Sequence, residues 1–218
     1  MATASEQPAA KRAKAEDEPA LPPRQDHPAA WYGPAMAAAP ETWTRALTPA
    51  DISEIETAAD AVLAAGKGPV VLDAAAFPLP TVAPRLLAMR VELLQGRGFQ
   101  LVKGLPLHQW SREKAAAAFL GIGAHIGAAR SQNSAGHLLG HVRDLGLASD
   151  DPSVRIYQTA ERQTFHADSC DVVALACLCQ AKSGGESLLC SALTVYNEIL
   201  DTRPDLAAEL LRPVAIGR

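Results

Sequence analysis

The feature that most constrains this chain is a change of hydrophobic period near residue 153. Upstream, apolar residues recur at the spacing of a helix face in several segments. Downstream they gather in short runs bounded by glycine and polar residues, the pattern of strands. A chain that reads helices first and strands afterwards predicts an α+β fold rather than an alternating α/β unit.

The individual segments carry local signals. In "TPADISEIETAADAVL", Thr48 can cap, Pro49 suits the first helical turn and Asp51 favours the positive end of the helix. Ile52, Ile55, Ala59 and Val62 then share one face, and "GKG" at 66–68 is the stop. A second helix over 82–95 should bury Leu86, Leu87, Val91 and Leu94, and "GRG" at 96–98 should end it. "FQLVKG" is predicted as a strand ending at Gly104. Ser111 caps a third helix through "REKAAAAFLGIG", and residues 128–152 read as a glycine-containing loop.

Beyond the loop, strands are predicted at 154–158, 172–179 and 186–192, with "KSGG" at 182–185 as the turn between the last two. Helices from Thr194 and from Pro204 close the chain. So few strands cannot close a sheet, and an open edge offers a route to self-association.

Residues 1–30 hold few large apolar side chains, too few to offset the entropy of ordering, so this tail is expected to be disordered. Within it, "PAAKRAK" at 8–14 has the form of a short basic nuclear-localisation signal, which sets a nuclear address beside the default cytoplasmic one. A net charge of −4 gives no reason to expect a nucleic-acid partner. The longest apolar run, "VVALACLC", is too short to span a bilayer, so no membrane partner is expected. Cys170, Cys177, Cys179 and Cys190 lack zinc-ribbon spacing, and in a reducing compartment they are expected to pack as small hydrophobes.

Chemistry concentrates in "QTFHADSCD" at 163–171. On an extended segment, residues two apart point to one side, so His166 and Asp168 can reach a common point. Imidazole with carboxylate suits a divalent first-row metal, and a further histidine would complete the facial triad of a non-haem iron centre. In a chain with 6 histidines and 24 acidic residues, chance also produces such a pair. His137 and His141, four apart, and His125 upstream lack the companions a zinc site needs and read as solvated or capping side chains. "GIGAHIG" has neither the preceding strand nor the spacing of a phosphate-binding loop.

Taken in order, the phrases "LTPADISEIE", "FPLPTVAPRLLAM", "GRGFQLVKGLP", "GAHIG", "GHVRDLG", "RIYQTAERQTFHADSCDVVALACL", "AKSGGES" and "YNEIL…RPDL" resemble the TauD/TfdA-like (taurine-dioxygenase-like) Fe(II)/2-oxoglutarate-dependent oxygenases. The likeness covers residues 43–213, within a domain expected over 43–218. The resemblance implies a double-stranded β-helix, a jelly-roll core with N-terminal helices packed on it. It implies His166 and Asp168 as two iron ligands. It also implies Ser187 as the hydroxyl that binds a 2-oxoglutarate carboxylate, where the family usually has threonine.

The family's distal histidine ligand and its carboxylate-binding arginine lie further downstream than these 218 residues reach. The expectation is therefore a C-terminally truncated member whose jelly roll lacks its second half. The implied cofactors are Fe(II), 2-oxoglutarate and O2, and the implied activity is oxidative decarboxylation of 2-oxoglutarate coupled to hydroxylation of a small molecule. The alternative is a non-catalytic remnant of the fold that acts as a binding or interaction protein.

Overall fold

The computed structural model describes residues 20–66, 68, 70, 73–151 and 153–214. In chain order the elements are α1 (Gly33–Ala38), β1 (Thr44–Ala46), α2 (Pro49–Ala64), α3 (Ala83–Gln95), β2 (Leu101–Lys103), α4 (Arg112–Ala124), α5 (Ala192–Thr202) and α6 (Pro204–Leu210). Short 3-10 turns occur at Pro40–Thr42, Ala74–Ala76 and Ile156–Gln158. The α+β class holds. None of the helices among the described residues is long and apolar enough to cross a membrane.

The start of α2 is over-determined. Thr48 accepts the backbone N–H of Asp51 through its side chain, the Asp51 carboxylate accepts the N–H of Thr48, and Pro49 fills the first turn. Downstream of that box, Ile55 and Ala59 are fully buried while Ile52 and Val62 are half-buried, so the predicted face is the one that packs. The stop also falls as predicted, with Gly66 taking a φ of 69° just past the helix end.

Across from α2, α4 opens on Ser111, whose side chain accepts the N–H of Lys114. Ala115, Ala117, Ala118, Leu120 and Gly121 are its buried positions. Alanine at most of this contact lets the two helices approach closely. Phe77, Leu79, Val82 and Leu86 cap the α2–α4 pair and complete the core. One residue makes that cap possible: a Cβ at Gly121 would lie 2.4 Å from the Phe77 ring, so only glycine fits there.

β1 and β2 pair in parallel, with Thr44 opposite Leu101 and Ala46 opposite Lys103. The Trp31 and Trp43 rings lie 5.0 Å and 5.7 Å from the ring of Phe99, which seals this small sheet beside the helices.

Four expectations give way. The strands predicted at 154–158, 172–179 and 186–192 are not formed. A strand needs a neighbour's ladder, and among the described residues of this region only 143–145 and 157–158 meet, through Arg143 N–H to Tyr157 C=O at 3.1 Å and Leu145 N–H to Gln158 C=O at 2.8 Å. Without a covered sheet face, all four cysteines are exposed rather than packed. On α3 only Leu86 is buried, because the core meets that helix at its first turn; Leu87, Val91 and Leu94 face outward.

The last correction concerns the tail. The basic stretch at 8–14 and the rest of 1–19 lie outside the described residues. Residues 20–30, expected to be disordered with them, instead run along α5. They are held there by reciprocal hydrogen bonds between Gln25 and Asn197 at 2.8 Å and 2.9 Å.

Candidate metal centre

His166 and Asp168 sit on a segment without regular structure, each about half exposed. The two side chains nevertheless approach each other, with His166 Nε2 3.9 Å from Asp168 Oδ1. The other ring nitrogen is committed: His166 Nδ1 lies 2.8 Å from the carbonyl oxygen of Thr164. A carbonyl can only accept, so Nδ1 carries the proton, and in the neutral ring Nε2 presents a lone pair toward the carboxylate. A histidine oriented through one nitrogen and free at the other is the arrangement that metal-binding imidazoles use.

The donor set suits a divalent metal. Ligand bonds of about 2.1 Å at right angles would put the two donor atoms roughly 3 Å apart. The observed 3.9 Å is longer than that separation, and both side chains are about half exposed. Among the described residues no group of three histidine, cysteine or acidic side chains is assembled, so the pair supplies two donors and stands alone. Cys170, two positions on, turns its thiol to the Val172 carbonyl at 3.5 Å.

Ser187 follows two glycines in the left-handed region, Gly184 with φ 74° and Gly185 with φ 76°. That turn needs residues without a Cβ and throws Ser187 onto an exposed segment. No hydrogen bond joins Ser187 to His166 or Asp168.

The three histidines weighed as zinc ligands are not gathered at this pair. His125 Nε2 lies 2.8 Å from the Phe77 carbonyl and tethers the end of α4. His137 Nδ1 accepts from the Asn133 amide at 2.9 Å within the 128–152 loop, and His141 is exposed.

Sequence reading missed Asn197, which is 4% exposed and hydrogen-bonded to the main chain of Gln25. An asparagine inside a helix carries no periodic signal of its own. Its place on one face with Thr194 and Asp201 was the available hint.

A sequence model described as "Taurine catabolism dioxygenase TauD, TfdA family" matches residues 63–215, a span that includes His166, Asp168 and Ser187. FR-33289 synthase of Streptomyces rubellomurinus is 35% identical over 166 residues, covering 75% of this chain and 49% of that protein. Taurine hydroxylase-like protein SAT17 of Stachybotrys chartarum is 29% identical over 188 residues, covering 83% of this chain and 49% of that protein. The chain thus spans about half the length of the curated relatives it matches. With more than half of its residues inside the family match, the chain belongs to the TauD/TfdA dioxygenase family.

Proposed function

We propose that this chain carries the first metal-binding arm of an Fe(II)/2-oxoglutarate-dependent oxygenase that acts on a small molecule. The observation that supports the reading most is the convergence of His166 Nε2 and Asp168 Oδ1 at 3.9 Å, within the segment that matches the family. His166 and Asp168 would hold Fe(II), and a third ligand would come from outside the pair. Iron with 2-oxoglutarate and O2 would supply oxidative decarboxylation, the source of oxidising power in this reading.

The chain's own residues have definable tasks. The Thr164 carbonyl fixes the His166 tautomer so that Nε2 points outward as a donor. Asp168 contributes one negative charge, which lowers the cost of placing a dication there. The Ser187 hydroxyl donates to a carboxylate oxygen of 2-oxoglutarate; a serine keeps the donor that a threonine would offer and lacks only its methyl group. Gly184 and Gly185 let the backbone turn tightly just ahead of it. The jelly-roll core implied by the family would gather these segments around the metal.

The test is release of succinate from 2-oxoglutarate in the presence of Fe(II) and ascorbate, without added substrate. In a chain extended to the length of its curated relatives, so that the third ligand is supplied, the reading predicts turnover that disappears in Asp168→Ala. An extended chain that binds iron yet releases no succinate would overturn the oxygenase reading.

A further inference from the structure

The apolar core is built from α2, α3, α4 and the 77–82 turn, and no residue of α5 belongs to it. Something else holds α5 in place. Among the described residues, every side-chain hydrogen bond that leaves 191–202 for another part of the chain ends on residues 22–32. Tyr196 donates to the Pro22 carbonyl, Ser191 to that of Ala29, and Thr194 to that of Trp31 at 2.8 Å. Asn197 grips both main-chain groups of Gln25, accepting its N–H and donating to its C=O. Two side-chain pairs flank this row: Arg24 with Asp201, and Tyr32 with Glu198 at 2.6 Å.

The far end of the same segment is fixed to the helical layer. Trp31 Nε1 donates to the Arg97 carbonyl at 2.9 Å, and its ring meets Phe99. Between the segment and α5 lies a cavity of about 380 Å³ lined by His27, Tyr32, Thr194 and Asn197 among others. A seam that is polar and incompletely filled opens more readily than a packed apolar one.

We propose that residues 22–32 are a latch, with Asn197 as its positioning residue. The latch holds α5 and α6 on the helical layer. Latch and helices open together as one unit while the α2–α4 core stays folded. Opening strips Ser191 of its bond to Ala29 and so frees the downstream end of the 183–190 segment. Because α5 addresses mainly backbone atoms of the latch, main-chain changes there matter more than side-chain changes.

Hydrogen exchange of the full chain, read by mass spectrometry, tests this. Gln25→Pro removes the N–H that Asn197 accepts and leaves α5 untouched. It should accelerate exchange across 192–210 by about tenfold, the equivalent of one lost buried hydrogen bond, with 52–64 and 115–124 unchanged. Gln25→Ala, which keeps the main-chain groups, should leave α5 protection as it was. Asn197→Ala should reproduce the effect of Gln25→Pro from the other side of the seam. In the unaltered chain, 192–202 should already open more often than 52–64. Unchanged exchange in α5, or equal acceleration in α2 and α4, would overturn the proposal.

Discussion

The Asp51 carboxylate faces the guanidinium of Arg85 with both oxygens, one of them 2.8 Å from Nη1, while also accepting the N–H of Thr48. One side chain thereby caps α2 and ties it to α3, although Asp51 itself is only 3% exposed. The Arg85 guanidinium, helped by the Thr48 N–H, holds this carboxyl well below the usual carboxylate range. Its contribution to stability is present above the unfolded-state value of about 3.9 and is lost as pH falls below that. Urea midpoints for the native chain and Asp51→Asn should therefore differ at pH 7, and the difference should shrink progressively as pH falls below about 4. A constant difference would contradict this assignment.

In α4, two glycines predict opposite outcomes. Gly121→Ala places a Cβ 2.4 Å from the fully buried Phe77 ring. Overpacking of this kind costs about 1–3 kcal/mol. Gly123→Ala meets nothing within 4 Å. It should stabilise by about 0.5–1 kcal/mol through the lower helix propensity of glycine. Chemical denaturation of the two variants side by side is the check.

Capping is the cheaper interaction to remove. Thr48→Ala deletes the side-chain acceptor for the Asp51 N–H at 3.2 Å and should cost about 1 kcal/mol, measured in the same way.

These features were legible in the sequence to different degrees. Thr48, Pro49, Asp51 and Ser111 announce helix starts because a cap is decided by residues within one turn. Ile55 and Ala59 were legible because their helix packs along much of its length. Leu87, Val91 and Leu94 show the limit: periodicity identifies an apolar face, but burial depends on what lies opposite, and α3 meets the core only near Leu86. The same holds for "VVALACLC", whose composition favours a strand while the ladder that would make it one is not formed. His166 and Asp168 were legible as a pair because proximity at a spacing of two needs only an extended backbone. The Gln25–Asn197 contact was not, since it joins positions 172 residues apart through main-chain atoms.

On the proposed reading, Ser187 contributes a hydroxyl to 2-oxoglutarate. Ser187→Ala should weaken its binding about tenfold, the scale of one hydrogen bond to a charged group, and Ser187→Thr should preserve it. Titration of the metal-loaded chain with 2-oxoglutarate reads both. Equal affinity in all three chains would remove Ser187 from the site.

The central claim is that His166 and Asp168 form one metal-binding arm. The direct measurement is divalent-metal affinity by calorimetry, with Co(II) as an air-stable probe, for the native chain, His166→Ala and Asp168→Ala. The account predicts one bound equivalent in the native chain and at least about a tenfold loss of affinity in each variant, since each removes one of two donors. The same affinity in all three would contradict it.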